Sequence, residues 1–272
     1  MAFLCAGQPV RVGAVAMNWL IALGLAGGVA LIAYRMRLLT WDGALGAVVV
    51  GMSIFGIGQL AGSVPLLVFF FSSSLLPRLL GRKNRGEQRT FVQVMANGGA
   101  PTLSAWLAWL LPEHAETAWM AYTASLACAM GDTWATEIGT RFGGRPRLIT
   151  NLSPVPPGTS GGVTLTGTLG ALFGTAILCG IGAGAFGFSA VQTLLCFIAG
   201  IVGVFADSLL GATLQGKYRC SVCGALTETP RHCQMPATRI RGQRWLDNNG
   251  VNLLSTLTAG VVPLLGYGVG IL

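Results

Sequence analysis

The sequence predicts an all-α polytopic membrane protein with about eight transmembrane helices, and three observations support that class. Only 10% of the residues are charged, whereas 53% are hydrophobic and 40 of the 272 are glycine, a composition that fits poorly with a soluble domain. Apolar runs of about 20 residues recur along the chain, each long enough to cross roughly 30 Å of hydrocarbon as a helix. The basic residues also cluster in alternate connections between these runs.

The apolar runs define eight candidate spans in a single integral membrane domain that covers residues 1–272. They are 12–33, 40–60, 61–77, 91–111, 117–139, 159–184, 187–212 and 248–271. Some of these helices are expected to be broken at Gly, Pro or Asn. In span four, Asn97 is followed by Gly98, Gly99 and Pro101, which predicts a broken or kinked helix because such residues disrupt helical hydrogen bonding.

The basic residues predict the orientation of the spans. All but one of the 17 Lys and Arg residues follow spans one, three, five and seven. The positive-inside rule makes these connections cytoplasmic, including loops at about 78–90, 140–158 and 213–247, and places both termini outside. We therefore predict a multi-pass protein of a bacterial inner membrane with a cytoplasmic active face. The net charge of +8 either records this topology or attracts an anionic substrate or lipid.

Carboxylates lie near the cytoplasmic ends of two spans. Span five carries Asp132 and Glu137, with Thr133 and Thr136 beside them, and span seven ends with Asp207 and Ser208. A charged side chain in a membrane helix costs roughly 2.5–3.5 kcal/mol at mid-helix and usually marks a functional site. We predict Asp132, Glu137 and Asp207 as catalytic residues.

Amides begin the two spans that run in the opposite direction. Asn97 lies about two turns into span four, and Asn249 and Asn252 open span eight. We predict that these amides, with Thr133, Thr136 and Ser208, bind substrate or nucleotide at the same leaflet as the carboxylates. The alternative is that such polar side chains only cap helices or join them to one another.

A basic and glycine-rich stretch precedes span six. Arg145 and Arg147 are followed by Gly158, Thr159, Ser160, Gly161 and Gly162. Backbone N–H groups at a helix N-terminus bind phosphate well. Carboxylates for Mg²⁺ at Asp132 and Asp207, together with N–H groups and arginines for phosphates, are what phosphoryl transfer requires.

Three of the seven cysteines cluster in the last cytoplasmic loop. Cys220 and Cys223 form a C-x-x-C pair, and His232 and Cys233 follow. These four residues are candidate zinc ligands with a structural role, although an adjacent His-Cys pair is unusual as two ligands. A redox pair and incidental thiols are the alternatives.

Four stretches together resemble an integral membrane family of unknown function that contains the phytyl-phosphate kinases. They are GDTWATEIG, PPGTSGGVTLTGTLGAL, FADSLLGATLQ and WLDNNGVNLLST. The resemblance implies phosphoryl transfer from CTP or another nucleoside triphosphate to an isoprenoid monophosphate. It also implies an acidic centre at Asp132, Glu137 and Asp207, with Asn97 and Asn249 beside it and residues 158–162 as the phosphate turn.

We therefore predict a Mg²⁺-dependent kinase for a phytyl or polyprenyl monophosphate, acting at the cytoplasmic membrane interface. Its partners would be the isoprenoid phosphate, the nucleotide and membrane lipid. Nucleic acid is not expected, because the sequence has no basic module interleaved with aromatic residues. The alternative is a transporter or flippase for a lipid phosphate or other anion. The sequence leaves a homo-oligomer open.

Overall fold

The computed structural model describes residues 19–81 and 88–268, which form seven α-helices and six short β-strands. The helices are α1 Trp19–Arg35, α2 Trp41–Leu79, α3 Phe91–Leu110, α4 Ala115–Phe142, α5 Leu165–Phe186, α6 Ala190–Thr213 and α7 Asn248–Gly268. The predicted helical class is confirmed in its main part. Three helices, α2, α5 and α6, are long and apolar enough to cross a membrane, and α1 is a shorter apolar helix. A count of eight spans stays a prediction.

The strands correct the all-α prediction. They are β1 Arg147–Leu148, β2 Gly162–Val163, β3 Lys217–Cys220, β4 Leu226–Thr227, β5 Arg231–His232 and β6 Met235–Arg241. Strand β1 pairs antiparallel with β2, and the other four form an antiparallel sheet in the order β4-β3-β6-β5. All but β2 lie inside two of the predicted cytoplasmic loops. The sequence argument missed them because most are too short to show the alternation of apolar and polar residues that identifies a strand.

Helix α2 reverses direction at Gln59, whose backbone (φ 48°, ψ −139°) is not helical. A Cβ atom on Gly62 would lie 3.1 Å from the Ile54 side chain, although residues eight apart in a straight helix are separated by about 12 Å. The guanidinium of Arg78 likewise reaches back and donates to the carbonyl of Met36 at 3.0 Å. The two halves of α2 therefore correspond to the predicted spans 40–60 and 61–77.

Helix α3 is continuous through its glycines and proline, so span four is not broken there, while a kink stays a prediction. The hydroxyl of Thr102 donates to the Gly98 carbonyl at 2.7 Å, and that of Ser104 donates to the Ala100 carbonyl at 3.1 Å. Proline has no backbone N–H to donate, and these two hydroxyls donate to carbonyls in the same turns of the helix. Gly98 instead allows close packing, because a Cβ atom there would lie 3.1 Å from Val50.

Helix α4 lies at the centre of the bundle and contacts α2, α3, α5, α6 and α7. Every residue from 117 to 131 is buried. This explains why α4 is rich in Ala and Thr rather than Leu and Ile, since neighbouring helices surround it and small residues permit close approach. The hydroxyl of Ser125, for example, donates to the Thr256 carbonyl of α7 at 2.9 Å.

Six helix ends meet at one end of the bundle. They are the N-terminal ends of α3, α5 and α7 and the C-terminal ends of α2, α4 and α6, which line one cavity. This arrangement agrees with the predicted alternation of the spans, while the cytoplasmic side stays a prediction. The predicted helix start at residues 12–18, the basic residues Arg82, Lys83 and Arg85, and residues 269–272 lie outside the described residues.

Candidate functional site

The six helix ends enclose a polar cavity of about 410 Å³. All three predicted catalytic residues, Asp132, Glu137 and Asp207, line it. The predicted binding residues that also line it are Asn97, Thr133, Thr136, Gly158, Thr159, Ser160, Gly161, Gly162, Ser208, Asn249 and Asn252. Residues that are up to 155 positions apart in the chain therefore meet in one place, while the catalytic and binding roles assigned to them stay predictions.

Asp132 and Asp207 reach the cavity from two helices that run in the same direction, α4 and α6. Both side chains are half-buried, and the two carboxylates interact electrostatically. With its amide oriented to donate, Asn252 of α7 lies 3.1 Å from Oδ2 of Asp207 and 3.3 Å from the Asn248 carbonyl. Oxygen ligands from several helices around one polar space suit a hard divalent cation.

The close approach of α4, α6 and α7 depends on Gly203, one turn before Asp207. A Cβ atom there would lie 2.6 Å from Sγ of Cys128, 2.8 Å from the Ser255 carbonyl and 2.9 Å from Cβ of Ala259. Any side chain at this position would force the helices apart, and the distance between the Asp132 and Asp207 carboxylates would then change.

We expect Gly203→Ala to lower the free energy of unfolding by about 1–3 kcal/mol, because the added methyl group overpacks the helix contact. The melting temperature in detergent would measure this loss. Gly180→Ala is the matched control, since Gly180 is exposed on α5 and a Cβ atom there has nothing within 4 Å. Equal melting temperatures for the two variants would contradict the packing argument.

Arg89 also lines the cavity, and the sequence argument missed it as a site residue. It lies just before α3, where its N–H donates to the Leu38 carbonyl at 2.9 Å and its carbonyl accepts from Thr40 N–H at 3.1 Å. Its guanidinium lies over the Phe69 ring, 5.6 Å from the centroid. Burial lowers the pKa of Arg89 to about 10, and the nearby Glu137 carboxylate opposes this shift, so the side chain is charged at neutral pH.

Glu137 is buried on α4, with 8% of its surface exposed. Its electrostatic interaction with Arg89 joins α4 to the start of α3 across the cavity. Among the described residues that line the cavity, Arg89 is the only lysine or arginine. The predicted basic ligands Arg145 and Arg147 are exposed and lie outside the lining, and Arg147 instead donates to the Leu152 carbonyl at 2.9 Å.

Residues 158–162, which we call the Gly-Ser turn, form part of the cavity wall but do not start a helix. Helix α5 begins at Leu165, six residues after the predicted start, and Thr164 caps it by accepting from Gly167 N–H at 3.0 Å. Gly158 (φ 82°) and Gly161 (φ 79°) adopt backbone angles that favour glycine. A Cβ atom on Gly161 would lie 2.4 Å from Ala212, so the turn packs directly against α6.

Glu228 is a second lining residue that the sequence argument missed. It lies between β4 and β5, and its carboxylate accepts from the Ser160 hydroxyl and, at 2.9 Å, from the Gln215 amide. Lys217 donates to the Ser160 carbonyl at 3.2 Å. The four-stranded sheet is thereby attached to the Gly-Ser turn through both the side chain and the backbone of Ser160.

The side chains of Cys220, Cys223, His232 and Cys233 converge next to this attachment. Their four candidate ligand atoms lie within 4.8 Å of one another. The backbone N–H of Cys223 and the His232 side chain lower the pKa of Cys220 to about 6, which favours the thiolate that metals bind. The structure thus confirms a Cys/His cluster able to hold a metal ion, and the three thiols are not in disulfides.

Comparison with known proteins identifies the family. The family described as "Integral membrane protein DUF92" matches residues 24–260. The chain belongs to this family. The membership expected from the four sequence stretches is therefore confirmed, and the match covers every residue that lines the cavity.

Relatives of this DUF92 chain occur in a plant and an archaeon. Protein PGR of Arabidopsis thaliana is 35% identical over 255 residues, covering 82% of this chain and 87% of that protein. An uncharacterized membrane protein of Methanocaldococcus jannaschii is 29% identical over 252 residues, covering 88% and 90%. The chloroplastic protein VTE6 of Arabidopsis thaliana is 25% identical over 146 residues, covering 54% of this chain and 37% of that protein. The comparison with solved structures found no match.

Proposed function

We propose that the protein is a Mg²⁺-dependent kinase that transfers a phosphoryl group from CTP or another nucleoside triphosphate to an isoprenoid monophosphate, giving the diphosphate. The observation that carries this proposal is the meeting of Asp132 and Asp207 in one polar cavity that also contains Arg89 and the Gly-Ser turn. The resemblance of the sequence to phytyl-phosphate kinases and the partial similarity to VTE6 support it.

The surroundings of Arg89 favour an amphipathic substrate. A smaller, apolar cavity lies between α1, α2 and α3, and it shares Arg89 and Asn97 with the polar cavity. Its other walls include Ala30, Leu66 and Phe70. A phosphate beside Arg89 would leave the start of a phytyl or polyprenyl chain next to this apolar space, and the rest of the chain in lipid.

In this mechanism each residue has a physical role. Asp132 and Asp207 would hold Mg²⁺, which supplies positive charge for the phosphate oxygens of the transition state. Arg89 would bind the substrate phosphate through charge-assisted hydrogen bonds, and the Gly-Ser turn would lie against the nucleotide. No general base is needed, because a phosphate oxygen is already a nucleophile at neutral pH.

The orientation of the cavity is part of the proposal. The basic connections Arg35–Arg37, 141–147 and 217–244 lie at the same end of the helices as the cavity, and the positive-inside rule makes that end cytoplasmic. The nucleotide is a cytoplasmic compound, so a kinase requires this orientation.

Sealed vesicles of both orientations test the reaction and its side together. Inside-out vesicles given labelled CTP, Mg²⁺ and phytyl or farnesyl phosphate should form the labelled diphosphate, and right-side-out vesicles should not, because CTP does not cross the bilayer. Product in neither type, with saturable counterflow of the lipid phosphate, would replace the kinase with the transporter or flippase. Product only in right-side-out vesicles would invert the topology.

A further inference from the structure

We propose that Cys220, Cys223, His232 and Cys233 bind one zinc ion, and that this ion holds Glu228 against the Gly-Ser turn. The spacing of the ligand atoms fits zinc. The Sγ atoms of Cys223 and Cys233 are 3.7 Å apart, and Nδ1 of His232 lies 3.4 Å and 3.3 Å from them. A tetrahedral zinc site with Zn–S bonds of about 2.3 Å requires Sγ–Sγ distances of about 3.8 Å.

Two hairpin turns bring the four ligands together. Cys220 ends β3, and Cys223 lies in the turn to β4, where Gly224 has a positive φ of 72°. His232 ends β5, and Cys233 begins the turn to β6. Positive φ angles at Cys233 (50°) and Gln234 (61°) bend the backbone sharply, so the adjacent His232 and Cys233 side chains both face the cluster.

A hydrogen bond to sulfur also matches a metal site. The backbone N–H of Val222 donates to Sγ of Cys220 at 3.4 Å. Such bonds from outside the ligand set orient metal ligands and adjust their charge. A disulfide between Cys223 and Cys233 would instead require a separation of about 2.05 Å, well below the 3.7 Å observed.

The sheet that carries the ligands has little apolar core. Between residues 217 and 241, Tyr218 and Cys220 are the buried apolar side chains, whereas Val222, Leu226, Met235 and Ile240 are 49–63% exposed. Small units with so little buried apolar surface usually depend on a metal or disulfides for their fold. Metal binding would therefore supply much of the free energy that orders this sheet.

The position of Glu228 follows from the cluster. Glu228 lies in the eight-residue segment 224–231, and the ligands Cys223 and His232 flank that segment on both sides. The ion would hold both ends of the segment, while the Glu228 carboxylate bonds to Ser160 and to the buried Gln215. Glu228 is thus a positioning residue, and loss of zinc would loosen the Gly-Ser turn and the nucleotide side of the proposed active site.

Metal content tests the first half of this inference without any assay of activity. The full-length protein, purified in detergent without chelators, should contain one zinc per chain by elemental mass spectrometry. Replacement with Co²⁺ should give the visible absorption of a tetrahedral thiolate site. Cys223→Ser should lose the metal, and Cys179→Ala, which removes a buried thiol of α5 outside the cluster, should retain it. A metal-free chain, or a Cys223–Cys233 disulfide in freshly lysed cells, would overturn the proposal.

Hydrogen exchange tests whether zinc binding orders the Gly-Ser turn. This test uses the wild-type protein, so it remains valid if Cys223→Ser does not fold. Removing zinc from the wild-type protein with a chelator should speed exchange in residues 224–231 and 158–162 several-fold and leave α4 unchanged. Glu228→Gln should keep the zinc, speed exchange only at 158–162, and raise KM for the nucleotide more than it lowers kcat. Unchanged exchange at 158–162 after zinc removal would exclude the coupling, even if the kinase assignment held.

Discussion

Asp132→Asn and Asp207→Asn should each reduce kcat by roughly 10²- to 10³-fold and leave the yield and melting temperature of the protein close to normal. The loss follows because an amide cannot supply the charge that holds Mg²⁺, and the fold survives because a neutral amide costs a membrane helix less than a carboxylate does. Expression, melting temperature and initial rate would be measured for each variant, and Mg²⁺ would be titrated in the same assays.

The double variant should be little worse than either single one, because the two carboxylates would bind the same ion and act as a unit. Glu113→Gln is the control, since Glu113 is an exposed carboxylate in the turn between α3 and α4, on the side away from the cavity. If the aspartates only cap or join helices, yield and stability fall while the remaining folded protein turns over normally. Fully active Asp132→Asn protein would exclude the catalytic assignment.

Arg89→Met should lower kcat/KM for the prenyl phosphate by roughly 10- to 100-fold, since a charge-assisted hydrogen bond contributes about 1.5–3 kcal/mol. The effect should be larger for the prenyl phosphate than for the nucleotide, because Arg89 lies where the polar and apolar cavities join. Arg89→Lys should recover part of the activity, because an ammonium keeps the charge but loses the planar arrangement of donors. Steady-state kinetics with each substrate varied in turn would separate these effects.

Arg145→Met and Arg147→Met are the matched controls for Arg89, because these arginines are exposed and outside the cavity lining. Their kinetics should stay within about twofold of the wild type.

A second comparison separates substrate binding from stability. Arg89→Met alone leaves the buried Glu137 carboxylate without the opposite charge of Arg89 and should lower the melting temperature. Combining it with Glu137→Gln removes both charges, so this double variant should be more stable than Arg89→Met without regaining kcat/KM. If Arg147→Met reduced activity and Arg89→Met did not, the assignment from the sequence would be correct and ours wrong.

The sequence was sufficient to predict that Asp132 and Asp207 lie near one another, because the patterns that place them are local; their catalytic role stays a prediction. Asp132 and Asp207 stand near the ends of two apolar runs that the charge pattern orients in the same direction, so their meeting at one end of a bundle follows from topology. The same reasoning did not place the basic residues. Two arginines in a loop were predicted to bind phosphate, yet Arg145 and Arg147 are exposed and outside the cavity lining, which contains Arg89 instead.

The sequence around Arg89 did indicate that this residue lies at the start of a helix, but that indication was ambiguous. It is the last basic residue before α3 and directly precedes Thr90, which forms a capping box with Gln93. It is therefore held at the helix entrance. In the sequence, however, its charge cannot be distinguished from those that only set the topology.

The sequence by itself determined the membrane class, the positions of most helices, the alternation of their directions and the acidic residues at their ends. These properties depend on composition and on the spacing of nearby residues. Only the tertiary structure decided the reversal at Gln59, the burial of α4, the electrostatic interaction of Arg89 with Glu137 and the contact of Glu228 with Ser160. Each of these depends on helix packing or on contacts between distant residues, 68 positions apart for Ser160 and Glu228, and local patterns carry no record of such contacts.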